Sequence, residues 1–334
     1  MKSKPAINVI GTGGTISSMG QDRFDFTRCA EVGRRISIKE SLDRIPEVND
    51  LANIVSEDFL SVASSDIGPV EWIQIARRIN QVFADEPLCD GIVLTHGTGT
   101  MEETAYFLQL SVKSSKPVVM TGAMMPLTAI GTDADRNLYH AIMAASHTDT
   151  AGRGVLVCLN NQIHSAREVT KTDPLRVETF QTPGLGALGY ADSDGEVVFY
   201  RSTVRKHTTS TVFDVGTLEC LPRVDIVPIY AGCDDLLMNA VRNNQSQGVV
   251  LAGVGGGSGT GAIKESAEKA IKEGLVVVSS SRTATGRAIL SPGRQKSGLI
   301  VADDLPPLKA RILLMLALSV TKDLQVIQEM FYDY

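Results

Sequence analysis

Gly91-Ile92-Val93-Leu94-Thr95-His96-Gly97-Thr98-Gly99-Thr100 is an apolar run that stops abruptly on a threonine–glycine turn. The plan occurs once more, near the start of the chain: residues 6–10 are mostly apolar, and Gly11-Thr12-Gly13-Gly14-Thr15 follows directly. Short apolar runs bounded by glycine are the pattern of strands buried on both faces. Further runs at 117–120, 154–159, 225–229, 248–252 and 274–279 are separated by helix-periodic segments at 70–82, 101–111, 135–146, 262–272 and 308–319. Such alternation predicts an α/β fold with a mostly parallel sheet flanked by helices. Ligands of such sheets bind outside the carboxyl ends of the strands, so both turns fall on the functional edge.

A chain of 334 residues suits two α/β units rather than one small domain. The stretch Arg205-Lys206-His207-Thr208-Thr209-Ser210-Thr211 is polar and aperiodic. It places an N-terminal domain at 1–205, a linker at 206–222 and a smaller C-terminal domain at 223–334. The composition, 43% apolar and 21% charged, is that of an ordinary globular protein. A formal charge of −6, a pI near 5.5 and the lack of a Lys/Arg run argue against a nucleic-acid partner. No window approaches the ~18 apolar residues of a membrane span, and the apolar run after Met1-Lys2-Ser3-Lys4 is too short for a secretory signal. The five cysteines (Cys29, Cys89, Cys158, Cys220, Cys233) are odd in number, scattered, and free of metal spacing, which points to a reduced, cytoplasmic protein.

Two hydroxyls on glycine-rich turns and one amine downstream, Lys171, suggest nucleophilic acyl transfer that needs neither metal nor cofactor. Each has a plainer reading. Thr12 can be a turn hydroxyl bonded to backbone, Thr98 the neighbour of a helix cap, and Lys171 a solvated surface charge. Co-occurrence at the strand ends of one sheet favours the functional reading. Thr100 and Glu103 stand three apart ahead of an apolar run and predict a capping box, which would set Thr98 and Gly99 just outside a helix N-terminus. Pro69 after Gly68 fits the first position of the helix that carries Trp72. His96, His140, His147, His164 and His207 show no ligand spacing, and His96 reads as structural. Gly257-Ser258-Gly259-Thr260-Gly261-Ala262 matches a dinucleotide loop, but no acid stands about twenty residues on.

At these residues the chain resembles the bacterial-type L-asparaginase family. The likeness runs through Thr12-Gly13-Gly14-Thr15-Ile16, the stretch from Leu94 to Ala105, Thr121-Gly122-Ala123-Met124-Met125-Pro126, residues 163–172 and residues 248–253. It implies a two-domain amidohydrolase acting on a small amide, usually a tetramer of intimate dimers whose sites are completed by a neighbouring subunit. Thr12 matches the nucleophile on the family's mobile loop, and Thr98 and Lys171 match its second threonine and its lysine. Ser64 matches the serine that binds the substrate α-carboxylate, Ala123 the backbone position near the leaving amide, and Gly97 lies in the same substrate-binding motif.

The departures cluster. Gly99 stands where the family's His-Gly-Thr-Asp-Thr motif has its aspartate, Ser65 where a glutamine follows the serine, and Phe26 where a tyrosine polarises the first threonine. The partner-subunit glutamate has no counterpart in residues 290–297. Three of these losses fall on one ligand group, the α-ammonium. An ammonium moved from water into a closed site needs a paired carboxylate. The expectation is therefore hydrolysis of an amide or lactam that keeps a carboxylate but lacks a free α-ammonium. Alternatives are an ordinary L-asparaginase with a substitute acid, Asp25 and Asp66 being nearest in sequence, and a ligand-binding descendant with reduced turnover. Residues 16–28 are expected to form a lid, and the assembly a homodimer or homotetramer.

Overall fold

The computed structural model describes residues 4–334. The chain divides into two compact units, ending and beginning at Ser210 and Thr211. The strands in chain order are β1 (Ala6–Gly13), β2 (Asn53–Val62), β3 (Gly91–Thr95), β4 (Val118–Thr121), β5 (Val155–Leu159), β6 (Gln162–Ser165), β7 (Thr170–Lys171), β8 (Phe180–Gln181), β9 (Gly189–Ala191), β10 (Val197–Phe199), β11 (Val224–Pro228), β12 (Gly248–Gly253), β13 (Val276–Ser281) and β14 (Ile300–Val301). The helices are α1 (Cys29–Val32), α2 (Ile38–Asp43), α3 (Val48–Leu51), α4 (Pro69–Asp85), α5 (Met101–Ser111), α6 (Ala134–Ser146), α7 (Leu236–Asn243), α8 (Gly261–Lys272), α9 (Pro292–Lys296), α10 (Pro307–Val320) and α11 (Leu324–Asp333).

The first unit is built on an eight-stranded sheet of order β10-β9-β6-β5-β4-β3-β1-β2. From β2 to β5 every pairing is parallel. From β5 to β10 every pairing is antiparallel. β3, β4 and β5 are buried along their whole length, which is why they read as unbroken apolar runs. β1 sits between β2 and β3, so the strand order reverses at β1 and opens the kind of crevice that α/β sheets use for ligands. The second unit has a separate four-stranded parallel sheet, β11-β12-β13-β14, with α10 packed on β11, β12 and β13.

α4 begins on Pro69, and the Gly68 N–H is taken by the Glu71 carboxylate at 2.9 Å. Its Ile75, Ile79 and Val82 form one buried stripe, and each such side chain contributes roughly 1.5–3 kcal/mol by burial. β2 has no continuous apolar run, because it is the sheet edge and alternates between covered and exposed positions. Its Glu57 and Asp58 blunt that edge, and Arg78 of α4 pairs with Glu57 at 2.8 Å. The expected capping box at α5 is absent. Thr100 occupies the N-cap, but its hydroxyl donates to the Ser64 carbonyl at 2.6 Å and caps nothing in its own helix.

Candidate functional site

Four adjacent parallel strands deliver their carboxyl ends to one place. Ser64 follows β2, Thr12 ends β1, Thr98 follows β3 and Ala123 follows β4. The turns after β1 and β3 touch. A β-carbon at Gly14 would stand 2.3 Å from the Gly97 Cα, and one at Gly97 would stand 2.9 Å from the Ser64 Cβ. Gly14 also has φ +86°, a conformation that side chains disfavour, so glycine is required here twice over. Gly122 after β4 is also tight, since a β-carbon there would stand 2.5 Å from the His96 carbonyl oxygen and 3.3 Å from Thr98 Cγ2.

Thr12 is fully buried and its hydroxyl donates to the Thr95 carbonyl at 2.7 Å. Thr98 is differently served. The Lys171 ammonium or amine nitrogen lies 2.8 Å from Thr98 Oγ1. Lys171 is carried on the β7–β8 hairpin, which belongs to neither large sheet. Burial pushes its pKa below the ordinary lysine value, while Asp173 and Glu102 pull the other way. A desolvated lysine beside a threonine hydroxyl can accept that hydroxyl's proton, which is the requirement for general-base activation.

The turn after β3 is fixed from below by a chain of donors. The Trp72 indole N–H donates to Thr104 Oγ1 at 3.0 Å, and Thr104 lies 3.0 Å from His96 Nε2. With that nitrogen accepting, Nδ1–H donates to the Gly97 carbonyl at 2.7 Å. All three side chains are buried, and burial lowers the His96 pKa to about 4, so the ring is neutral. His96 is therefore a structural residue.

The remaining sequence candidates separate. Gly97 and Ala123 are buried in the cluster, Ser64 is half-buried beside it, and Ser65 is exposed. Gly99 is exposed, and a β-carbon on it would stand 2.8 Å from Ser64 Oγ. The space left by a missing side chain is thus partly taken by the Ser64 hydroxyl. Phe26 is 40% exposed. Neither substitute acid stands by Lys171. The Asp25 carboxylate accepts from the backbone N–H groups of Gln21 and Arg28, both at 2.9 Å, which hold its pKa below the ordinary value. Asp66 is exposed in the turn after β2. Sequence reading missed Glu102, a buried carboxylate in the first turn of α5 whose Oε1 accepts the Lys171 N–H at 3.2 Å. Residues 16–28 lie against their neighbours through Met19 N–H to Arg34 O, Leu127 N–H to Ser18 O and Ile130 N–H to Arg23 O. Among the described residues, no three His, Cys, Asp or Glu side chains converge as a metal site, and no helix is long and apolar enough to cross a membrane.

Comparison with known proteins places this architecture. Residues 6–205 match the family model for the asparaginase N-terminal domain, and residues 223–331 that for the glutaminase/asparaginase C-terminal domain. A probable periplasmic L-asparaginase of Haemophilus influenzae is 42% identical over 332 residues, 99% of this chain and 93% of that protein. L-asparaginase 2 of Bacillus subtilis is 40% identical over 335 residues, 100% of this chain and 88% of that protein. The crystal structure of a probable cytoplasmic L-asparaginase from Campylobacter jejuni superposes with a TM-score of 0.94 at 42% identity, covering 99% of this chain and 100% of that one. Fold and homology define a two-unit α/β amidohydrolase, an enzyme acting on carbon–nitrogen bonds other than peptide bonds. The chain belongs to the asparaginase family.

Proposed function

We propose that this amidohydrolase cleaves an amide, lactam or related acyl bond in a small molecule that presents a carboxylate but no free α-ammonium. The observation that carries the chemistry is the 2.8 Å contact between Lys171 Nζ and Thr98 Oγ1. In the proposed course a threonine hydroxyl, Thr12 by its position, attacks the acyl carbon and gives up its proton through Thr98 to Lys171. The C–N bond then breaks, the leaving nitrogen takes the proton, and water hydrolyses the acyl-threonine ester. Ser64 is proposed to hold the substrate carboxylate, with Ser65, Gly97 and Gly99 lining the same end and Ala123 beside the leaving group. Support for the substrate class comes from Gly99, which offers no anion where an α-ammonium would need one. The proposed enzyme is cytoplasmic, needs no cofactor or metal, and is a homodimer or homotetramer.

The names of the relatives favour a second reading, ordinary L-asparaginase. Ammonia release from L-asparagine, L-glutamine, N-acetyl-L-asparagine and succinamate separates the two. The proposal expects the last two to be preferred, and a submillimolar KM for L-asparagine would overturn it. Gly99→Asp sharpens the test. The added side chain pushes the Ser64 hydroxyl to a new rotamer, because its β-carbon would stand 2.8 Å from that oxygen. It supplies an ion pair for asparagine, and kcat/KM for asparagine is expected to rise about tenfold, a gain of ~1.4 kcal/mol, while that for succinamate falls.

A further inference from the structure

Lys171 sits on a two-stranded hairpin outside both large sheets, so something other than a sheet must set its register against Thr98. Three contacts do so. Phe180, its partner across the hairpin, is buried. The amine meets Thr98 Oγ1 at 2.8 Å, and the backbone N–H of Lys171 itself reaches Glu102 Oε1 at 3.2 Å. Glu102 is only 7% exposed and lies in the first turn of α5. Thr98 and Glu102 flank the same helix start. Lys171 is thus held at both ends by one turn of chain, its backbone by a carboxylate and its amine by a hydroxyl.

We propose that Glu102 is a positioning residue for Lys171, its carboxylate anchoring the hairpin to α5 and standing as the anionic neighbour that position 99 does not supply. The inference rests on the Thr98–Lys171 reading above. The charged groups acting on Lys171 are Asp173, on the same hairpin, and Glu102, on α5. Asp173 is engaged locally, accepting from the N–H groups of Leu175 and Arg176 at 2.8 and 2.9 Å and lying 3.7 Å from the Arg176 side chain. Glu102 comes from another element and is the one that ties the hairpin to the site.

Glu102→Gln separates charge from shape, because the amide oxygen can still accept the Lys171 N–H. Titration of the full-length protein carrying lysine labelled with ¹³C at the ε position, assigned with Lys171→Met, reads the amine directly. Removing the carboxylate charge is expected to lower the Lys171 pKa by at least ~0.5 unit, since an opposite charge favours the protonated amine. Glu102→Ala removes the acceptor too, and is expected to speed exchange of the Lys171 amide at least ~10-fold as well. A Lys171 titration unmoved within ~0.2 unit in Glu102→Gln, or Lys171 amide exchange unmoved in Glu102→Ala, overturns the proposal. If instead Thr98→Ala and Lys171→Met keep full amidase activity while both Glu102 effects appear, the functional reading fails and the positioning role stands.

Discussion

Two glycine-rich turns of nearly the same design end parallel strands in the two units, and they do opposite things. In the C-terminal unit, the turn after β12 consumes its polar groups on its own scaffold. Thr260 caps α8 by accepting the Ile263 N–H at 3.3 Å and donates to the Cys233 carbonyl, Ser279 donates to the Gly257 carbonyl, and Arg294 donates to the Gly256 carbonyl. In the N-terminal unit, the turn after β3 leaves its helix uncapped, and the Thr98 hydroxyl faces a partly desolvated lysine instead. Glycine spacing gives the close approach in both cases. A reactive partner brought from elsewhere in the chain is what separates a candidate site from a structural turn.

The largest effect that sharpens this contrast is on turnover. Thr12→Ala, Thr98→Ala and Lys171→Met are each expected to reduce ammonia release at least ~100-fold, the scale of losing a nucleophile or its proton relay. The Thr98/Lys171 double variant should be little worse than either single, because the two are proposed to act as one unit. Thr260→Ala should keep kcat/KM within about twofold and cost only about 1 kcal/mol of stability for the lost cap, read by urea unfolding. A hundredfold activity loss in Thr260→Ala, or near-normal turnover in Thr98→Ala, would erase the distinction between the turns.

Acid should discriminate between the units next. All five histidines lie in the first. Burial holds both His96 and His140 near a pKa of about 4, against 6.5 for the free side chain. A depressed histidine pKa means the unfolded chain binds more protons, so this contribution is complete above pH 6.5 and is lost as pH falls toward 4. The loss is on the order of 2 kcal/mol per histidine by pH 5. Hydrogen exchange, corrected for its intrinsic pH dependence, is expected to lose protection in β3 and α5 before β12 and α8. Simultaneous loss in both units would show that the second is not independent of these rings.

The smallest pair of effects should have opposite signs. Gly14→Ala forces a β-carbon into the Gly97 backbone at φ +86°, with no flexible side chain to yield, and is expected to cost at least ~1 kcal/mol by thermal or urea unfolding. Gly261→Ala opens α8 in ordinary helical conformation with nothing within 4 Å of the new carbon, and is expected to gain about 0.4–1 kcal/mol. A gain at Gly14 would mean the turns after β1 and β3 are not packed as described.

What could be read from residues alone was whatever rests on local pattern. Unbroken apolar runs marked β3, β4, β5, β12 and β13, since a strand covered on both faces has no polar alternation to disguise it. Helix period marked α4, α5, α6, α8 and α10, and the family motifs picked out Thr12, Thr98, Lys171 and Ser64. The edge strand β2 and the short antiparallel strands β6, β9 and β10 were not legible, because half-exposed or three-residue segments carry too little periodicity to stand out. Thr100 looked like a cap by spacing alone, yet its hydroxyl went to the Ser64 carbonyl, a partner 36 residues away that no local rule could weigh. For a substitute acid, spacing along the chain offers only Asp25 and Asp66, the nearest in sequence, and the fold engages Asp25 with the backbone of its own loop and leaves Asp66 exposed. The carboxylate that accepts the Lys171 backbone N–H belongs to Glu102, 69 residues away, a pairing that no spacing along the chain announces. Sequence by itself determined the buried strands, the glycine-rich turns and the candidate residue types; which hydroxyl meets an amine and which bonds a backbone carbonyl was decided by tertiary packing, because a hydrogen bond is chosen by distance in space and not by spacing along the chain.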